Sequence, residues 1–179
     1  MQSRLVSVSK FLSRVLRHQP GRVGIELDRA GWVAVADLLA ACRAHNFPLT
    51  REELEVVVRD NDKKRFAFDE DGTRIRASQG HSVRVELGYA PLAPPPVLYH
   101  GTASHLLASI RERGLVKGRR HHIHLSADAA TAAKVGARHG KPHLIRVESG
   151  RMHADGYEFY RSENGVWLAE HVPAKYLVL

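Results

Sequence analysis

A proline-rich segment, Ala90–Pro96, does most to limit what this chain can fold into. It holds four of the eight prolines in 179 residues. Because proline fixes φ and has no backbone N–H, such a run cannot continue a helix or lie inside a sheet. It favours an extended, semi-rigid connector. We therefore predict an N-terminal lobe over residues 1–90, a linker over 91–96 and a C-terminal lobe over 97–179.

The N-terminal lobe is predicted to contain three helices followed by a β-hairpin. Apolar residues recur at helical spacing from Leu5 to Leu16, and a second amphipathic helix is expected over residues 35–45. Thr50 and Glu53 form the capping box of a third helix. Two alternating segments then flank a turn at residues 70–72. Three helices with a β-wing are typical of a winged-helix-like lobe.

The C-terminal lobe mixes strands and helices, which makes the chain an α+β protein. A strand over residues 97–100 is expected to end in a glycine turn at Gly101, where a ligand could approach the backbone. The alternating residues 122–125 predict another strand. Ser126 is expected to cap a helix from about residue 128 to 139, whose N-terminus would favour an anion.

The charge balance of the chain indicates an anionic partner. Lysine and arginine number 27 against 19 acidic residues, a net charge of +8 with neutral histidine. This excess suits nucleic acid or a phosphorylated substrate, although a basic protein without such a partner fits equally well. No apolar run approaches the ~20 residues of a membrane helix. The N-terminal residues lack a signal-peptide apolar block and Cys42 is the sole cysteine, so we expect a cytoplasmic protein.

Three basic clusters stand out in the N-terminal lobe. Arg17-His18 ends the first helix, Lys63-Lys64-Arg65 opens the hairpin, and Arg74 and Arg76 follow. Taken singly, the first cluster is explained by the helix dipole and the others by a solvated wing. Taken together, they could hold one phosphate from several sides.

Histidines are concentrated in the C-terminal lobe. His100 lies directly before Gly101 and Thr102, and His122 and His124 share one face of a predicted strand. Two arginines precede these histidines, and no acid lies in the stretch, so anion binding is favoured over a metal site and no metal is expected. The absence of GxGxxG, P-loop, GxSxG and HExxH patterns argues against Rossmann, NTPase, elbow-type hydrolase and zincin functions.

Short motifs run in order through both lobes. They are Ser9-Lys10-Phe11-Leu12 with Leu16-Arg17-His18, Gly31-Trp32-Val33, Asp62-Lys63-Lys64-Arg65-Phe66, Arg74-Ile75-Arg76-Ala77, Gln79-Gly80-His81-Ser82, Leu98-Tyr99-His100-Gly101-Thr102, His124-Leu125-Ser126, Val135-Gly136-Ala137-Arg138-His139-Gly140 and Glu163-Asn164-Gly165-Val166-Trp167-Leu168. The ordered set resembles the NAD-dependent RNA 2′-phosphotransferases of the KptA type, which include tRNA-splicing enzymes.

The resemblance implies a winged-helix lobe that binds RNA and a C-terminal lobe of ADP-ribosyltransferase type. It implies a catalytic set of Arg17, His18, Arg65 and Arg120, with Arg119 as an alternative to Arg120. It also implies a triad of His100, His124 and Val166 in the transferase core. The residues expected to bind NAD, a co-substrate, are His100, Gly101, Thr102, His124, Ser126 and Arg138.

In the reaction of that family, an internal RNA 2′-phosphate attacks NAD and nicotinamide leaves, giving a 2′-phospho-ADP-ribosylated RNA. The ribose 2″-hydroxyl then attacks phosphorus and releases ADP-ribose 1″,2″-cyclic phosphate and RNA with a plain 2′-hydroxyl. Two alternatives are ADP-ribosylation of terminal RNA or DNA phosphates and a non-catalytic winged-helix nucleic-acid-binding module. We expect a monomer acting on tRNA-like RNA. His81 and Ser82 would either touch the RNA phosphate or join the lobes.

Overall fold

Two separate apolar cores divide the chain into two units. In this computed structural model, one unit ends at Gly88 and the other begins at Tyr89. The structure describes residues 2–61 and 63–179, without the side chains of Gln2 and His139. Within those ranges, every helix is too short or too polar to cross a bilayer.

The N-terminal unit is built on three helices. They are α1 (Gln2–Arg17), α2 (Val35–Ala44) and α3 (Arg51–Arg59), with a 3-10 turn at Pro20–Val23. The predicted capping box of α3 is confirmed: the Thr50 side chain accepts from the Glu53 amide, and the Glu53 carboxylate accepts from the Thr50 amide. The apolar faces of the three helices meet in a core that contains Leu12, Leu16 and Leu38.

A three-stranded antiparallel sheet completes the N-terminal unit. Its strands are β1 (Val33–Ala34), β2 (Phe66–Phe68) and β3 (Arg74–Ala77), in the order β1-β3-β2. The β2–β3 pair is the predicted hairpin. Phe66 pairs with Ala77 and both are buried, whereas Ala67 pairs with Arg76 on the opposite face. The sheet therefore closes the helical core and leaves its arginines on the other side. The likeness to winged-helix domains stays a prediction.

The C-terminal unit has eight strands and three helices among its described residues. They are β4 (Leu98–Ala103), α4 (Leu107–Arg113), β5 (Leu115–Val116), β6 (Ile123–Leu125), α5 (Ala129–Gly136), β7 (Pro142–Val147), α6 (Ser149–Ala154), β8 (Tyr160–Arg161), β9 (Trp167–Ala169), β10 (His171–Val172) and β11 (Leu177–Val178).

The strands of this unit form two three-stranded antiparallel sheets, β11-β7-β4 and β6-β9-β8, and one β10-β5 pair. An antiparallel bridge between Tyr99 and Ser126 links β4 to the end of β6. The buried core includes Phe159, Tyr176 and Trp167, as the sequence predicts for Trp167. The predicted α+β character is confirmed, and the ADP-ribosyltransferase likeness of this unit stays a prediction.

The predicted glycine turn after His100 is wrong. Strand β4 continues to Ala103, and Gly101 pairs with Leu144 of β7. A Cβ on Gly101 would lie 1.7 Å from the carbonyl oxygen of Ala132 in α5. Gly101 is therefore needed because the helix backbone packs directly on the strand, a contact that no local sequence pattern encodes.

The predicted cap of α5 is also wrong. Asp128, not Ser126, is the N-cap: its carboxylate accepts from the Thr131 amide at 2.7 Å. Ser126 instead accepts from the Asp128 amide at 3.1 Å. The helix begins at Ala129 and ends at Gly136, before a 3-10 turn at Ala137–His139. Both residues are good capping types, and the chain enters the helix only after Asp128.

Candidate active site

Two of the predicted catalytic arginines meet in the N-terminal unit. Arg17, the last residue of α1, donates from Nη2 to the Arg65 carbonyl oxygen at 3.4 Å. The Arg17 guanidinium also lies 6.0 Å from the centre of the Phe66 ring. Arg65 donates from Nη1 to the Asn61 side chain at 3.2 Å. The first contact ties the Arg17 guanidinium to the main chain of Arg65, 48 positions further along the sequence.

Asn61 is a site residue that the sequence analysis did not identify. Besides Arg65, its side-chain oxygen accepts from the Lys63 amide at 3.1 Å. Its side-chain nitrogen donates to the Ser9 hydroxyl at 3.1 Å, which ties the turn to α1. Asparagine often folds its side chain onto the backbone two residues later. Its place just before the Lys63–Arg65 cluster is the signal that could have identified it.

His18 is held by Ser82 at the end of α1. The two side chains are joined by a 2.9 Å hydrogen bond between His18 Nδ1 and Ser82 Oγ. The Ser82 amide also donates to the Arg17 carbonyl oxygen at 2.8 Å. His81 is only 2% exposed, and its Nε2 faces Gly31 within the same unit. Ser82 therefore belongs to the basic cluster, and His81 is buried in the same unit.

A hydrogen-bonded chain joins three of the predicted residues in the C-terminal unit. His100 donates from Nδ1 to the His124 carbonyl oxygen at 3.0 Å. Arg120 donates from Nη1 to His124 Nδ1 at 3.2 Å. A guanidinium can only donate, so His124 Nδ1 accepts and its ring proton lies on Nε2. Of the two neighbouring arginines, Arg120 is the one in contact with His124, which favours it over Arg119.

Burial disfavours the charged form of the His100 ring. Desolvation lowers the pKa of His100, the hydrogen bond to the His124 carbonyl partly opposes this, and the charge of Arg120 adds to the lowering. Since Nδ1 carries the proton, Nε2 is a hydrogen-bond acceptor. Burial also lowers the pKa of Arg120, although its guanidinium stays charged at neutral pH.

Val166 directly precedes strand β9. Leu125 pairs with Trp167 and His124 with Leu168, so Val166 follows one step beyond, level with Ser126. The backbone of Val166 is fixed by Ser162: its carbonyl accepts from the Ser162 amide at 2.9 Å. An apolar residue thus directly precedes β9, the strand that pairs with His124 through Leu168.

The remaining residues predicted to bind NAD have different surroundings. Gly101 and Thr102 lie inside β4, and Thr102 is only 5% exposed. Ser126 exchanges two backbone hydrogen bonds with Tyr99, at 2.8 and 2.9 Å. Arg138 is exposed in the 3-10 turn after α5.

The N-terminus of α5, where the sequence predicts an anion, is capped by an acidic residue. Asp128 occupies it, and hydrogen bonds from Thr131 hold the pKa of that carboxyl below its usual range. The helix end therefore already carries a negative charge. A second anion would be repelled there, so Arg120 is the better candidate for a phosphate contact in this unit.

Comparison with known proteins gives matches over nearly the whole chain. The family model described as RNA 2′-phosphotransferase, Tpt1/KptA family, matches residues 3–171. A curated protein of Nostoc punctiforme, named probable RNA 2′-phosphotransferase, is 55% identical over 98% of this chain and 97% of its own. Proteins of the same name from Streptomyces coelicolor and Agrobacterium fabrum are each 54% identical, over 98% and 97% of this chain and 96% and 93% of theirs.

Proposed function

The chain belongs to the Tpt1/KptA family of RNA 2′-phosphotransferases, and from this we propose that it moves an internal RNA 2′-phosphate onto NAD. The products would be RNA with a 2′-hydroxyl, nicotinamide and ADP-ribose 1″,2″-cyclic phosphate. The proposed substrate is RNA with a 2′-phosphate at an internal position, such as a tRNA-like splice junction. What supports the proposal most is the basic cluster of Arg17, His18 and Arg65, assembled from separate parts of the sequence.

The hydrogen-bonded residues Arg120, His124 and His100 have the chemistry to bind NAD. Its neutral His100 offers an acceptor at Nε2, which suits a ribose hydroxyl donor. Arg120 offers a guanidinium, which suits a phosphate. When bound, NAD supplies an anomeric carbon that carries a good leaving group, nicotinamide. We assign His100 and His124 to the ribose side of that carbon and Arg120 to a phosphate.

In the first step, a 2′-phosphate oxygen bonds to the anomeric carbon as the bond to nicotinamide breaks. The phosphate is already anionic at neutral pH, so this step needs no general base. Val166, an apolar residue level with Ser126, fits that requirement. The work left to the protein is to hold the phosphate in place, and we assign it to Arg17 and His18.

In the second step, the ribose 2″-oxygen bonds to phosphorus and loses its proton. The bond from phosphorus to the RNA 2′-oxygen breaks, and that oxygen gains a proton. Negative charge grows on the phosphoryl oxygens, and we assign its stabilisation to Arg65 and Arg120. His18 is the residue we assign to proton transfer, through Nε2, because Ser82 engages its Nδ1.

The test is to incubate the protein with NAD and a short RNA that carries one internal 2′-phosphate. We expect nicotinamide, ADP-ribose cyclic phosphate and dephosphorylated RNA in equal amounts. The matched control is the same RNA with a plain 2′-hydroxyl, which should release no nicotinamide. Loss of 2′-phosphate without NAD would refute the proposal. A stable ADP-ribosyl adduct on a terminal phosphate, with no internal 2′-phosphate removed, would point to terminal ADP-ribosylation instead.

A further inference from the structure

Ser82 makes two different contacts with the end of α1. Its amide donates to the Arg17 carbonyl oxygen at 2.8 Å, and its hydroxyl bonds to His18 Nδ1 at 2.9 Å. The last carbonyls of a helix have no partner within the helix. The Ser82 amide supplies a hydrogen-bond donor to one of these carbonyls, that of Arg17. The Ser82 hydroxyl sets the direction of the His18 ring.

We propose that Ser82 is the positioning residue for His18. This inference rests on the proposed function, in which His18 transfers a proton at Nε2. A hydroxyl can both donate and accept. When a proton is exchanged at Nε2, Nδ1 keeps its own proton in both states of the His18 ring, so Nδ1–H donates to the Ser82 hydroxyl oxygen throughout. The ring can therefore gain and lose a proton at Nε2 without turning.

His18 needs such support because of where it lies. It directly follows the last residue of α1, and it is exposed, so helix packing does not fix its ring. An exposed imidazole samples several orientations, and only some would present Nε2 to a phosphate. A partner 64 positions along the chain therefore limits that freedom through one hydrogen bond.

The test compares Ser82→Ala, Ser82→Thr and a control, Ser7→Ala, whose side chain is exposed on α1. With saturating NAD and 2′-phosphorylated RNA, we expect Ser82→Ala to lower kcat roughly 3- to 10-fold, the worth of one hydrogen bond. The KM for NAD should stay within about twofold. Ser82→Thr keeps the hydroxyl and should restore kcat, and Ser7→Ala should match the wild type.

A double-mutant cycle separates positioning from a general structural role. If Ser82 acts through His18, Ser82→Ala should cause no further loss of rate in a His18→Ala background. Single-turnover rates suit these slow variants. An equal loss in both backgrounds, or an Ser82→Ala enzyme as fast as the wild type, would overturn the inference. A wild type that does not remove the phosphate would instead refute the proposed function, and the positioning role with it.

Discussion

Replacing Gly101 with alanine should strongly destabilise the C-terminal unit. The new Cβ would lie 1.7 Å from the Ala132 carbonyl oxygen and 2.8 Å from the Gly136 nitrogen. An ordinary carbon–oxygen contact is about 3.3 Å or more. The backbone of α5 would therefore have to move away from β4 by roughly 1.5 Å. Overpacking of this kind costs about 3 kcal/mol or more. That is a large part of the ~5–15 kcal/mol that stabilises a typical domain.

Urea unfolding measures this cost. For an m-value of about 2 kcal/mol/M, 3 kcal/mol lowers the midpoint by roughly 1.5 M. The chain has two tryptophans, one in each unit, so a Trp32→Phe background makes the fluorescence of Trp167 report on the C-terminal unit. Gly118→Ala is the matched control, because its Cβ would meet no atom within 4 Å.

The same pair of variants distinguishes two roles for Gly101. If Gly101→Ala unfolds within about 0.5 kcal/mol of Gly118→Ala, the packing of α5 against β4 is not the reason for glycine at this position. If that stable variant also fails to bind NAD, the sequence-based prediction of a ligand contact at Gly101 would be the better explanation.

Three further predictions concern separate parts of the chain. Arg65→Ala or Arg120→Ala should slow the second step ~10³-fold and let ADP-ribosylated RNA accumulate on a gel; wild-type product rates in both would contradict their assigned roles. Thr50→Ala should remove the capping box and cost about 1 kcal/mol in urea unfolding, and an unchanged midpoint would argue against it. Burial raises the pKa of the Cys42 thiol to about 11, so at pH 8 the thiol stays protonated. It should react with a chromogenic disulfide reagent only after unfolding. A rapid rise in absorbance with the native protein would show that Cys42 is not buried.

Local signals account for the parts of the fold that the sequence predicted well. The Thr50–Glu53 box and the turn at residues 70–72 lie within a few residues of the structure they specify. The boundaries of α3 and of the β2–β3 hairpin therefore follow from side chains close in sequence.

Contacts between distant residues account for most of what was missed. The two-residue pair β5–β10 joins Leu115 to Val172, and neither segment is long enough to show alternation. The sequence predicts a turn at Gly101 because glycine often marks one, whereas its neighbour in space is Ala132. The predicted cap of α5 lies two residues before the observed one, because Ser126 and Asp128 are both good N-cap residues.

The candidate site shows the same difference between local signals and contacts over a long sequence distance. Its residue types were predicted from motifs, but their partners were not. Asn61 lies four positions before Arg65 and accepts a hydrogen bond from its guanidinium. Because asparagine is uncharged, it does not stand out as part of a basic cluster in the sequence. The sequence predicts that Ser82 touches the RNA phosphate or joins the lobes, whereas its hydrogen-bond partner in the structure is His18, 64 positions away. Side-chain partners at such distances depend on the packing of the whole unit.

The main-chain contact between α5 and β4 has a consequence for how this sequence can vary. At Gly101 and Gly136 the strand and the helix touch through backbone atoms, and His100 is the residue just before that contact. Backbone atoms are the same whatever the side chains are. Neighbouring apolar residues can therefore drift over evolutionary time while the imidazole keeps its place, as long as both glycines are retained.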